Sequence, residues 1–383
     1  MTVGRAEPEG REALLFTGQR GMRSARHVAL ALGVALLLVA CGVPIEEEEQ
    51  ATPSPGQPVE VVRPTPGAPA ATVEHVTPSS AETPTCYQPV ASPVAGGTPA
   101  EPSQRITSPG PVPVPSYYEP LPLQEDHELE ALLRGALGHD VDSYAVVVKS
   151  LDDGRGAAIN PDKMFYAASL FKVAVLYEVF HQRALGLLDF DEELLVTPYY
   201  AGFDLGTLPV GVCEAISVED AVHAMTAFSD NTSAVLLQDR VGAGNINRSM
   251  AALGLPTTRL LTDDLPTTAG DMALLMEMMA RGEAVDAEAS QEMVNLLASE
   301  EIDNGLRAGV PEGTLVAHKT GNWSNATHDV GIVYPPTGRT GAPGTSYVIA
   351  VLSEKPYETE TTAKLSQVVY EYYIGDVGHA EGE

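Results

Sequence analysis

The sequence predicts an α/β class domain of the α+β type: an antiparallel five-stranded sheet flanked by helices, with an all-helical insertion. Three observations predict it. A helix and two strands come first, a run of helices fills the middle, and three strands and a helix close the domain. Strands that are near in sequence tend to pair, and connections avoid crossing, so the simplest packing builds one sheet from both ends of the domain. The expectation is therefore one domain, residues 125–376, followed by a short tail, 377–383.

Each element has a local cause. Leu129, Leu132, Leu133, Ala136 and Leu137 recur at helical spacing until Gly138 stops them. Tyr144 to Leu151 is apolar and β-branched, and Asp152-Asp153-Gly154-Arg155-Gly156 turns it into a short second strand, Ala157 to Asn160. A long apolar helix is expected from Ser169 through Phe180. Leu187 to Tyr200 follows, then a Gly-rich loop, Gly202 to Gly206. Ser217, with Asp220 three residues on, caps a helix that runs past Met225. Ser229-Asp230-Asn231 breaks the pattern before a helix from Thr232 to Val241, and Gly254 closes another. Thr268 and Asp271 open a Met-rich helix whose apolar stripe reads as core. Strands are expected at 314–320, 328–334 and 346–353, then a helix at 361–373.

The N-terminal third is of another kind. Met22-Arg23-Ser24-Ala25-Arg26 is basic, and Val28 to Ala40 is apolar except for Gly33; this core is short for a membrane span but suits a secretory signal. Residues 1–21 precede a better start at Met22. Leu38-Val39-Ala40-Cys41-Gly42 resembles a bacterial lipoprotein signal, which implies lipidation of Cys41 and anchoring on the extracytoplasmic side of a bacterial cell envelope. Residues 41–124 are rich in Pro, Thr, Ser and Ala, with too little periodic apolar surface to offset the entropy of ordering, and read as a disordered stalk.

Charge and cysteine content exclude several classes. A net charge of −30 argues against nucleic acid, whose backbone demands a basic footprint. Three cysteines make no disulfide scaffold, and nine scattered histidines suggest no metal site, so no cofactor is expected. Cys86 and Cys213 either form a disulfide or remain separate.

Three short motifs carry the chemistry. Ser169-Leu170-Phe171-Lys172 sets a hydroxyl and an amine three residues apart, hence on one helix face. Burial among apolar neighbours lowers an amine's pKa, which lets Lys172 serve as the base that activates Ser169. Ser229-Asp230-Asn231 lies in a break between helices, and Lys319-Thr320-Gly321 ends a strand. All three in this order arise by chance about once in a thousand such chains.

This motif set resembles that of the class A β-lactamases and penicillin-binding proteins, and the region from Leu129 to Tyr373 is similar to their domain throughout. The resemblance implies roles residue by residue. Ser169 is the nucleophile that forms an acyl-enzyme, and Lys172 helps deprotonate it. Ser229 passes a proton to the leaving nitrogen. Asn231 holds the substrate's side-chain carbonyl and Lys172, while Lys319 orients Ser229 and attracts a substrate carboxylate. Thr320 and Gly321 line the substrate strand. The backbone N–H groups of Ser169 and Asn322 form the oxyanion hole.

Two departures matter. The segment 258–268 stands where the family carries an Ω loop with a deacylating glutamate, and it is short and contains no Glu. Asp263 or Asp264 is the available replacement base. Asn322-Trp323 also stands where small residues are usual, and Trp323 is expected to line the cleft. The expectation is a serine hydrolase acting on β-lactams or related amides and esters, with acylation faster than deacylation. A D-alanyl peptidase or esterase, and a β-lactam or peptidoglycan sensor with little turnover, are the competing readings. The substrate is a small molecule of the β-lactam or peptidoglycan kind, and a monomer is expected.

Overall fold

The computed structural model describes residue 86, residues 105–336 and residues 344–375. The signal segment, Cys41, most of the stalk and the tail lie outside the described residues.

The elements begin with a two-residue strand β1 (Gln124–Glu125), then α1 (His127–Leu137), β2 (Tyr144–Ser150), β3 (Arg155–Ile159), β4 (Phe165–Tyr166) and the long α2 (Phe171–Ala184). The middle holds β5 (Glu193–Leu195), α3 (Pro198–Ala201), β6 (Ala215–Ser217), α4 (Val218–Ala227), α5 (Asn231–Val241) and α6 (Ala243–Leu253). The chain continues through β7 (Pro266–Thr267), α7 (Ala269–Ala280), α8 (Ala287–Leu297), β8 (Leu315–Trp323), β9 (Ala326–Tyr334), β10 (Tyr347–Ser353) and α9 (Thr359–Gly375).

The sheet order is β1-β3-β2-β10-β9-β8. Five strands form the expected antiparallel sheet from both ends of the domain, and β10 joins the halves by pairing Val351 with Val146 on β2 and with Asp329 on β9. The count differs by one: β1 adds a sixth strand, parallel to β3, through Gln124 and Glu125. Two polar residues have no alternation to read, and their pairing comes from the approach into α1, with Gln124 N–H on Gly154 O and Asp126 N–H on Gly156 O.

Alternation along the strands divides the core in two. Val146, Val148, Ile349 and Val351 face α1 and α9, whereas Ala145, Val147, Val348, Ala350 and Leu352 face the helical insertion. A sheet covered on both faces needs apolar residues at successive positions, which is how β2 and β10 read. Inside the insertion α2 is buried from Lys172 to Gln182, so it runs through the centre of the core.

Residues 105–123 depart from the expected stalk, because they lie along the domain. Arg105 forks onto Asp239 at 3.0 and 2.7 Å. Ile106 N–H donates to the Tyr200 hydroxyl at 2.7 Å, and Leu121 N–H to Glu277 at 2.8 Å. Glu277 also accepts the buried Tyr118 hydroxyl and pairs with Lys149, which donates to Leu121 O at 2.9 Å. Ile106 N–H, Leu121 N–H and Leu121 O of this extended segment are thus satisfied by side chains of the domain. No periodicity announces such contacts. Cys86 is bonded to Cys213, across 127 residues of chain.

Candidate active site

The segment around Ser169 is a tight turn held from three sides. Ala168 has φ 47°, a left-handed conformation that is costly for a residue with a Cβ. It starts the 3₁₀ turn Ala168–Leu170 that leads into α2, so Ser169 stands just before the helix rather than in it. Ala167 N–H donates to Leu265 O at 2.7 Å. His328 Nδ1 accepts from Ser353 N–H, which leaves the ring proton on Nε2 to donate to Tyr166 O at 2.9 Å. Burial lowers the His328 pKa, consistent with this neutral tautomer. On the third side is Gly321, where a Cβ would stand 3.0 Å from Ala167 O and 3.1 Å from Leu170 Cγ. Glycine is needed there for the close approach of strand to turn.

Lys172 is the second residue of α2 and is 1% exposed. Its ammonium donates to Ser229 O, to Ser229 Oγ at 3.0 Å and to Asn231 Oδ1 at 2.8 Å. Ser229 reaches it because the α4–α5 break is sharp: Ser229 has φ 55°, and the Asp230 carboxylate caps α5 by accepting from Ser233 N–H at 2.6 Å. Asp230 also accepts the Thr207 hydroxyl at 2.8 Å, which ties the 202–211 loop to this motif. Burial pulls the Lys172 pKa down from 10.5 to about 7, and the Lys319 charge adds to the drop against the opposing pull of Asp230 and Glu300. A neutral amine is thereby accessible near neutral pH.

Lys319 is fully buried on β8, and the next residue, Thr320, is 4% exposed. Asn322 and Trp323 stand at the exposed end of the strand. Trp323 is 55% exposed, and its ring lies 5.8 Å from that of Tyr166, three residues before Ser169. It therefore borders the nucleophile turn and also meets solvent.

Asp263 and Asp264 sit on a short closed loop. Asp264 Oδ1 accepts from Leu265 N–H at 2.9 Å, and Leu261 N–H donates to Asp264 O. The Asp264 charge helps raise the Tyr166 pKa, after burial. The bonds of Lys172 go to Ser229 and Asn231 instead.

One residue of the site is absent from the motifs. Glu300 is 2% exposed; it pairs with the Lys319 ammonium, accepts the Thr320 hydroxyl at 2.6 Å and accepts Thr320 N–H at 2.9 Å. Behind it the buried His318 bonds Asp329 at 2.9 Å, and Asp329 also accepts Leu306 N–H at 2.7 Å. Burial lowers the His318 pKa, but the Asp329 and Glu300 charges outweigh this and leave it raised. In the sequence, Glu300-Glu301 is indistinguishable from a solvated acidic pair. Only a carboxylate with its backbone fixed beside the strand could have been suspected, and the sequence does not fix it.

Residues 127–373 match the model of the Beta-lactamase enzyme family. The chain is 24% identical over 270 residues to the extended-spectrum β-lactamase PER-1 of Pseudomonas aeruginosa, covering 61% of this chain and 83% of that one. It is 27% identical over 209 residues to a β-lactamase of Streptomyces fradiae, covering 48% of this chain and 66% of the relative. Among solved structures, PBP-A superposes with a TM-score of 0.60 at 24% identity, over 66% of this chain and 98% of that one. A β-lactamase from Sphaerobacter thermophilus superposes with a TM-score of 0.57 at 21% identity, over 64% and 96% of the respective chains.

Proposed function

The chain belongs to the β-lactamase enzyme family, and on that premise we propose that it is a serine hydrolase acylated at Ser169 by β-lactams or related amides and esters, and freed slowly. Ser169 Oγ attacks the substrate carbonyl carbon and loses its proton to neutral Lys172. The N–H groups of Ser169 and Asn322 receive the oxyanion. As the bond to the leaving nitrogen or oxygen breaks, the proton returns to it through Ser229. What remains is an ester on Ser169, which water must cleave.

The observation that carries this reading is the buried Lys172 ammonium bonded to both Ser229 Oγ and Asn231 Oδ1, with its pKa pulled down to about 7. A free lysine amine would be a poor base at neutral pH, and this one is tuned for the task. Slow release follows from the 258–268 loop, which holds no glutamate and whose Asp264 side chain caps its own turn. On the same fold a mutant of PBP-A holds penicillin G as an acyl-enzyme. The missing glutamate equally suits a D-alanyl peptidase or esterase, for which β-lactams are trapping analogues. The signal-like N-terminus supports export and anchoring through Cys41, and a monomeric catalytic domain at the cell envelope is part of this proposal.

Intact-mass spectrometry after mixing with benzylpenicillin tests the reading. A persistent adduct, absent in Ser169→Ala, is expected. Ester or amide cleavage that survives Ser169→Ala would overturn the assignment, and rapid hydrolysis without an adduct would overturn slow release.

A further inference from the structure

Glu300 raises a question that the acyl-transfer reading leaves open: what the Lys319 end of the site can bind. Strand β8 is the outer strand of the sheet, with β9 on its other side. In an antiparallel ladder the N–H groups of alternate residues point to the same side. Thr320 N–H is given to Glu300 at 2.9 Å, so it points away from β9, and Asn322, two residues on, points the same way. The Glu300 carboxylate therefore occupies the substrate edge of β8. It lies one repeat, about 7 Å, from the N–H proposed to receive the oxyanion. Its backbone is fixed there, because Glu301 N–H donates to Ala227 O at 2.9 Å, at the end of the helix that leads to Ser229.

An anionic group on a substrate, seeking a cation and a hydroxyl donor at this place, finds both engaged. The Lys319 ammonium is paired with Glu300, and the Thr320 hydroxyl donates to the same oxygen at 2.6 Å. The further charges facing this group are His318, 3.9 Å from Glu300, Asp329, which is bonded to His318 and offsets it, and Lys172, whose amine is pushed toward the neutral form by burial and by Lys319. An incoming carboxylate thus meets a neutralised site, with one anion already in place.

We propose that Glu300 is an internal carboxylate occupying the anion-recognition position of the Ser169 site. The site then accepts uncharged acyl donors, neutral esters or amides, at least as readily as donors bearing an anion near the scissile carbonyl. This rests on the acyl-transfer reading and narrows its substrate class.

The test compares acylation rate constants for benzylpenicillin and its methyl ester, which share a reacting ring and differ in the carboxylate. Intact-mass time courses on the wild type and Glu300→Gln supply them. In the wild type the acid-to-ester ratio is expected within about threefold of unity, since the charges of Lys319 and Glu300 offset each other. In Glu300→Gln the ratio should rise about tenfold or more in favour of the acid, mainly through tighter binding. Any change in Lys172 basicity acts on both probes and cancels in the ratio. A wild type that prefers the acid by about a hundredfold, or a folded Glu300→Gln with an unchanged ratio, overturns the proposal. If Glu300→Gln does not fold, the wild-type ratio decides alone. Failure of both probes to label folded wild type, with neither hydrolysed, would refute the acyl-transfer reading itself, and this proposal with it.

Discussion

Replacing Lys319 by Met should move the pH dependence of Ser169 acylation, because Lys319 is one of the charges that set Lys172. The wild-type profile comes first. An ordinary lysine with a pKa of 10.5 is neutral in about one molecule per thousand at pH 7.4, whereas with a pKa of about 7 roughly 70% are neutral. Burial and Lys319 thus supply nearly a thousandfold more of the active base, equivalent to about 4 kcal/mol. Since the neutral form acts, the rate should climb about tenfold per pH unit below the midpoint and level off about a unit above it. Lys319→Met removes the cation that lowers the Lys172 pKa and leaves Asp230 and Glu300, which raise it. The midpoint should therefore move alkaline by about one unit or more. Rates of adduct formation measured from about pH 5 to about pH 9 would read both profiles. A flat wild-type profile would refute Lys172 as the base. A midpoint that stays put in folded Lys319→Met would refute the electrostatic coupling, even if the absolute rate falls.

Two further outcomes test the frame around the site. Gly321→Ala brings a methyl group to 3.0 Å from Ala167 O, with β8 on one side and the nucleophile turn on the other. Acylation should fall about tenfold or more as Ser169 is displaced, with the melting temperature moving much less. Lys149→Met leaves Glu277, which is fully buried, without its cation. Urea unfolding should register a loss of about 3 kcal/mol, and the Lys149→Met/Glu277→Leu double variant should recover part of it; full stability in Lys149→Met would refute the pairing as a structural link.

The parts of the fold legible in the sequence are those with local causes. The caps at Ser217 and Thr268 lie where the spacing to Asp220 and Asp271 predicts, each accepting from the N–H three residues on. Strands β2 and β10 were readable because burial on two faces leaves continuous apolar runs. The three short motifs stand out for a different reason: serine, lysine and asparagine at those intervals are rare together. What escaped depends on distant partners. Residues 105–123 look like stalk because most of their bonds reach residues more than ninety positions away, Tyr200 at 94 and Glu277 at 156. Helix α8, which the periodicity did not single out, opens on Asp286, whose carboxylate accepts from Ala289 N–H at 2.8 Å. Glu300 is a local match to nothing, and its role exists only once β8 lies beside it.

The short 258–268 loop has a structural task of its own. Asp271, with its pKa raised by burial, accepts Thr257 N–H, Thr258 N–H and the Thr258 hydroxyl. The hydroxyls of Thr258 and Thr267 bond each other at 2.9 Å, Asn247 holds both backbone groups of Leu260, and Arg259 N–H reaches Pro266 O. Few backbone groups in this hairpin remain to reposition a side chain toward a water. Its far end offers Leu265 O to Ala167 N–H, and β7 pairs with β4 through Tyr166 and Pro266. The loop therefore braces the turn that bears Ser169, opposite the face that Gly321 abuts, and so stabilises the left-handed Ala168. A base brought from this segment would have to come from a loop already committed to those contacts. Fast acylation and slow release, as proposed, then follow from one feature: the chain that fixes the nucleophile is the chain that would have to bring the base.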